Sequence, residues 1–229
     1  MMTSSDVSAD PVLVTHIVEH LKASLRQAEV STSPYRYWIC RNMLPAEVAA
    51  DLCGLPFSAP PLNGLSGKRE VHNATRSYLD TECQSAHPVA ACVAAAFQSP
   101  EIVGLFEEMF DASLGGTYLR AEYAQDVDGF WLEPHSDLGV KKFTLLLYLS
   151  DDPEHAGLGT DIYGADKQHI GASPFARGTG MIFVPSDITI HGFERRTIQG
   201  VRKSLIVNYV TDEWRAREQL AFGDMPVRR

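Results

Sequence analysis

"WLEPHSDLG", residues Trp131 to Gly139, places a histidine and an aspartate two positions apart in a chain of 229 residues with eight histidines. In an extended strand, residues two apart face the same way, so His135 and Asp137 can aim both side chains into one cavity. A bare His-x-Asp is also a common polar turn, and what separates the two readings is whether a third donor follows. His191, in "PSDITIHGFERR", supplies one 54 residues after Asp137. Two imidazoles and a carboxylate on one face of an ion make the facial triad of non-haem Fe(II) oxygenases and leave three positions open. Zinc can use the same donors, but closed structural zinc sites lean on thiolates, and no cysteine follows Cys92. His155 ("DDPEHAGLG") and His169 ("DKQHIG") read as solvated loop residues. His16 and His20 share a helical face with no better-placed carboxylate.

Eleven residues beyond His191 comes Arg202, in "GVRKSLIVNYV". As a strand, this segment puts Arg202, Ser204, Ile206 and Asn208 on one face, and Val201, Lys203, Leu205 and Val207 on the other. An inward guanidinium beside a hydroxyl can take a ligand carboxylate in a two-pronged, charge-assisted grip. The competing reading pairs Arg202 with an internal carboxylate such as Asp161 or Glu122, because a buried arginine with no anion is costly. Arg196 is the other candidate anchor.

Outward from this region the chain changes character near Asp111. After it come "GTYLRAEYAQ", "GFWLEPH", "KKFTLLLYLS", "GTDIYG", "GMIFVPS", "ITIHGF" and "KSLIVNYV", short β-branched and aromatic runs divided by Asp, Gly, Pro and Ser. Before it, Pro11 follows Asp10, and Ile17, Leu21, Leu25 and Ala28 recur at helical spacing. "LPAEVAADLCG" predicts a short helix between Pro45 and Gly54. "HPVAACVAAAFQSPEIVGLFEEMF" predicts two helices joined at Ser99-Pro100. "NGLSGKREVHNATRSYLD" lacks periodicity, and Gly67 to Tyr78 reads as an exposed loop able to close over a site, with Arg76 as a further anion contact. The expected fold is mainly β with a helical N-terminal part, one domain spanning 1–229. Residues 1–111 form helical support and loop, 112–212 an antiparallel barrel or sandwich core, and 213–229 a tail.

A 45% hydrophobic composition suits a globular core, and the net charge of −9 speaks against a nucleic-acid surface or docking on anionic membranes. The run "FTLLLYL" is too short to span a bilayer, and "MMTSSDVSADPVLVTHIVEH" lacks the pattern of a secretion signal. Cys40, Cys53, Cys83 and Cys92 form no CxxC pair and read as reduced, partly buried thiols. A cytoplasmic protein with a small-molecule substrate is the expectation; the oligomeric state is not legible.

The ordered set His135-x-Asp137, His191, Arg202-x-Ser204 resembles the Fe(II)/2-oxoglutarate-dependent dioxygenase superfamily, over about Tyr118 to Val210. The resemblance implies a double-stranded β-helix, a jelly roll of cupin-like type, buttressed by helices. It implies Fe(II) on His135, Asp137 and His191, with 2-oxoglutarate and O2 as co-substrates. Arg202 and Ser204 would hold the far carboxylate of 2-oxoglutarate, helped by Tyr148 (with Thr144 on its face) and by Tyr123. The implied reaction hydroxylates an unactivated C–H bond with release of succinate and CO2. Related halogenases lack the carboxylate ligand, so Asp137 favours hydroxylation or desaturation. The wording of "HGFERRTIQGVRKSLIVNYVTDEWRAREQLAF" is similar to bacterial stand-alone members acting on free or modified amino acids and related metabolites. Arg120 and Trp131 are the first candidates to line the substrate pocket, against a salt bridge from Arg120 to Glu122 or Asp126 and a packed Trp131. Two other classes stay open: a prolyl or aspartyl hydroxylase of peptides or proteins, and a non-catalytic cupin-like binding module.

Overall fold

The computed structural model describes residues 9–62, 67, 76–137, 139–223 and 225–228. Helix α1 (Pro11–Leu25) begins where Asp10 caps it, its carboxylate accepting from the Val12 amide at 2.9 Å. Ile17, Leu21 and Leu25 are fully buried, while Ala28 falls past the helix end. Helix α2 (Ala46–Cys53) runs between Pro45 and Gly54. Helix α3 (Thr81–Ala86) was not anticipated; Asp80 caps it by accepting from the Cys83 amide at 2.8 Å. Helices α4 (Pro88–Gln98) and α5 (Pro100–Phe110) meet at Ser99, which caps the second. Among the described residues no single helix is long and apolar enough to cross a bilayer.

Two antiparallel sheets carry the rest. The seven-stranded sheet has the order β1 (Glu29–Ser31), β2 (Tyr37–Cys40), β9 (Gly180–Phe183), β6 (Lys141–Tyr148), β11 (Arg202–Val210), β4 (Tyr118–Asp126), β3 (Ser77–Tyr78). The four-stranded sheet has the order β5 (Leu132–His135), β10 (His191–Phe193), β7 (Asp161–Tyr163), β8 (His169–Ala172). Every predicted strand is present. Strands β1, β2, β3 and β8 were missed, so the part before Asp111 also contributes to the large sheet and is not helical support alone. The C-terminal segment docks on β4: the Ala221 amide donates to Leu119 O at 2.9 Å and the Val227 amide to Thr117 O at 2.8 Å.

The period-2 alternation of β4, β6 and β11 divides the molecule into two cores. Leu119, Ala121, Tyr123, Phe143, Leu145, Leu147, Leu205, Val207 and Tyr209 face the helices. There Phe143 stacks on Phe106 with ring centres 4.5 Å apart. The opposite face of the large sheet meets the small one through Leu146, Tyr148, Ile162, Phe175 and Phe193. All four cysteines are free, and burial pushes the Cys40 thiol up to about 12 and the Cys83 thiol to about 11. The candidate site lies between the sheets.

Candidate metal centre and ligand cavity

His135 ends β5 and His191 begins β10, and the two are cross-strand partners in the small sheet with ring centres 4.5 Å apart. Gly192 permits this approach, because a Cβ there would lie 2.8 Å from Leu132 O. Asp137 follows β5 directly. One donor atom from each of His135, Asp137 and His191 lies within 4.8 Å of the others. Each imidazole is turned by its own backbone: Nδ1 of His135 lies 2.8 Å from Glu133 O, and Nδ1 of His191 lies 3.0 Å from Thr189 O. A carbonyl only accepts, so a neutral imidazole donates through Nδ1–H and presents the Nε2 lone pair to an ion. The Asp137 carboxylate is held by Thr144, whose hydroxyl donates to Oδ2 at 2.7 Å, and by Lys141, whose ammonium donates to Oδ1 at 2.6 Å. Side-chain exposure is 1% for Asp137 and 2% for Lys141, so this ion pair is dry. Two neutral imidazoles and one buried carboxylate, oriented from outside, fit a divalent ion such as Fe(II) with positions to spare.

A cavity of about 50 Å³ runs from this centre between the sheets. Phe130, Leu132, Leu146, Phe193 and Ile206 form apolar walls; Thr144, Tyr148, Thr160 and Ser204 supply hydroxyls; Arg76, Asp126 and Arg202 supply charge. Arg202 is buried on the cavity face of β11, as its alternation predicted. Its Nη1 donates to Asp126 Oδ2 at 2.6 Å and its Nε to Leu158 O at 2.7 Å, with Phe193 4.8 Å from the guanidinium. The expected internal partner was Asp161 or Glu122; the actual one is Asp126, directly opposite in the β4–β11 register. Arg196 does not line the cavity; it is bonded to Asp161 and Gly157 O and stacks on Phe193.

Ser204 and Tyr148 line the cavity. The Tyr148 hydroxyl is engaged with Thr160 Oγ1 at 2.9 Å and Ser173 Oγ at 2.5 Å. Tyr123 is a correction: three residues from Arg120, it falls on the opposite face of β4, and its hydroxyl donates to Cys53 O at 3.0 Å among the helices. Burial raises its pKa well above the ordinary tyrosine value. Arg120 points to the inner side but is consumed by a network. It donates to Glu122 at 2.5 Å, Asn208 at 3.3 Å, Gln219 at 3.0 Å and Tyr78 at 3.2 Å, and does not line the cavity. Trp131 sits against Gly67 and Arg195 outside the cavity lining, which Leu132 enters instead. His155 is a second correction, buried rather than solvated, with Nε2 2.7 Å from Gln199 O.

Sequence reasoning missed several contributors. Lys141 reaches Asp137 because a bulge in the β6–β11 pairing shifts it out of the phase of Phe143, Leu145 and Leu147, and only the lysine four residues from Asp137 was readable in the sequence. Tyr35 donates to Ile190 O at 3.1 Å and so braces the segment carrying His191; nothing local marks it. Arg76 is bonded to Glu122. Burial opposes its charge, but Glu122 and Asp126 outweigh that and hold its pKa above the usual arginine value. Of the expected lid, residues 68–75 lie outside the described residues.

No protein-family model matches the chain, and no curated protein sequence does either. Solved structures do. A prolyl-4-hydroxylase from Pseudomonas putida aligns at 18% identity and TM-score 0.53, covering 90% of this chain and 99% of that one. A prolyl 4-hydroxylase from Phytophthora capsici aligns at 15% identity and TM-score 0.58, covering 89% and 67%. A Trichoplax adhaerens prolyl hydroxylase, solved with a hypoxia inducible factor oxygen degradation domain peptide, aligns at 14% and 0.53, covering 90% and 92%. The chain therefore has a mainly β fold of antiparallel sheets and helices that it shares with these prolyl hydroxylases.

Proposed function

We propose that the protein is an Fe(II)- and 2-oxoglutarate-dependent oxygenase built on a double-stranded β-helix, and that it hydroxylates an unactivated C–H bond of a prolyl group. The observation that carries this reading is the gathering of the His135, Asp137 and His191 donors beside one cavity, which His191 enters and whose wall holds Arg202 and Ser204. When bound, Fe(II) lets 2-oxoglutarate and O2 react so that the keto acid leaves as succinate and CO2 and one oxygen atom enters the substrate C–H bond. Glu133 O and Thr189 O keep each imidazole in the ligating tautomer, and Thr144 and Lys141 fix the Asp137 carboxylate. Arg202 and Ser204 offer a cation and a hydroxyl for the distal carboxylate of 2-oxoglutarate. Phe130, Leu132, Phe193 and Ile206 keep water from the reacting carbon. With Asp137 in place, a halide has no vacated ligand position, which favours hydroxylation over halogenation.

The chain's own residues suggested a small metabolite as substrate. The structural neighbours are prolyl hydroxylases, one of them bound to a peptide, and they support a peptide-borne proline at least as well. The test is succinate release from 2-oxoglutarate with Fe(II), in the presence of proline-containing peptides or of free proline and other amino acids, with His191→Ala as the blank. Peptide-dependent release is expected. Release with free amino acids alone would return the substrate to the metabolite class, and release with none, alongside no cofactor binding, would overturn the oxygenase reading.

A further inference from the structure

Beside the cavity lies a buried cluster of charge. Arg76 and Arg120 both pair with Glu122, and Arg202 pairs with Asp126, all nearly buried. Glu122 is divided between Arg76 and Arg120. Asp126 sits on Arg202, the group to which the proposed function gives the distal carboxylate of 2-oxoglutarate. Besides Asp126, Nε of Arg202 donates to Leu158 O, and the rings of Tyr148, Phe175 and Phe193 flank the guanidinium. A cavity of about 50 Å³ has room for a few waters. Asp126 lines it beside Arg202, so a carboxylate arriving on that guanidinium meets one already paired there. Two carboxylates on one guanidinium would also repel each other strongly in a site this dry. The next cation that Asp126 faces is Arg76, which lines the same cavity and holds only a shared claim on Glu122.

We propose that Asp126 is a built-in competitor for the co-substrate's distal carboxylate, and that Arg76 takes up Asp126 when that carboxylate arrives on Arg202. This rests on the cavity being a 2-oxoglutarate site. Asp126 then sets the affinity for the co-substrate: it keeps Arg202 neutralised in the empty protein and makes binding an exchange of ion pairs rather than a simple addition.

The experiment is calorimetric titration of 2-oxoglutarate into the Zn(II)-loaded protein, which binds without turning over. Asp126→Asn keeps the shape and removes the charge, and is expected to tighten binding about tenfold, since a competing charge has gone. Asp126→Glu keeps the charge and should bind like the wild type. Arg76→Met should weaken binding about tenfold in the wild-type background and about twofold or less in Asp126→Asn, because the relay is then idle. Unchanged or weaker binding in a folded Asp126→Asn would make Asp126 a permanent structural partner and overturn the proposal. Equal effects of Arg76→Met in both backgrounds would do the same. Should Asp126→Asn not fold, Arg76→Met binding as tightly as the wild type would still contradict it. If neither the wild type nor any variant binds 2-oxoglutarate, the co-substrate reading itself has failed, an outcome distinct from wild-type binding that Asp126→Asn leaves unaltered.

Discussion

Strands β6 and β11 show two different materials on their two sides. Toward the helices they present Phe143, Leu145, Leu147, Leu205, Val207 and Tyr209, nearly all apolar and fully buried. Toward the small sheet the same strands present Thr144, Tyr148, Arg202, Ser204 and Asn208, deeply buried and polar, beside the apolar Leu146 and Ile206. Burying polar groups costs free energy unless each is bonded, and here the bonds are made: Thr144 to Asp137, Tyr148 to Thr160, Arg202 to Asp126, Asn208 to Thr144. One face supplies stability through area removed from water. The other spends some of it to hold donors and charges in fixed positions, which is the arrangement a reactive centre needs.

If that division is right, substitutions should separate by face. The largest effect is expected from His191→Ala on the polar side. Losing an ion worth several kcal/mol of charge stabilisation should cost about a thousandfold or more in turnover, read by succinate release, with little change in melting temperature. Phe143→Ala on the apolar side should do the reverse. It should lower stability by about 3–5 kcal/mol in denaturant unfolding, while the protein that remains folded keeps its turnover. Thr144→Val, similar in shape but lacking the hydroxyl that fixes Asp137, should weaken metal binding about 10–100-fold by equilibrium dialysis. Tyr123→Phe should be the mildest, losing about 1 kcal/mol of stability with the Cys53 carbonyl bond and leaving co-substrate affinity unchanged. A Tyr123→Phe protein with impaired 2-oxoglutarate binding would break the comparison.

The same division explains what could be read from the chain alone. His135 and Asp137 were legible because a separation of two is strand geometry in itself. Arg202 with Ser204 was legible for the same reason. Tyr123 and Arg120 were both assigned to the site, yet three residues along one strand cannot share a face, and the polar phase Arg120–Glu122–Asp126 marks which one turns inward. Strands β1, β2 and β3 escaped notice because each is short, and β2 and β3 join the sheet through distant segments, β9 and β4, while β1 pairs only with β2. Asp126 and Arg202 lie 76 residues apart, and Arg76 and Glu122 lie 46 apart. No local period reports such pairings, since they exist only once the strands align. His155 is similar: its partner, the Gln199 carbonyl, is 44 residues away.

The most direct test of the central claim, that one cavity holds Fe(II) at one end and 2-oxoglutarate on Arg202 at the other, is an anaerobic titration. Metal-free protein would receive Fe(II) and then 2-oxoglutarate while the visible spectrum is followed. The account predicts a metal-to-ligand charge-transfer band that is absent in Asp137→Ala and weakened in Arg202→Ala. Iron binding without such a band, or a band indifferent to both substitutions, would contradict it.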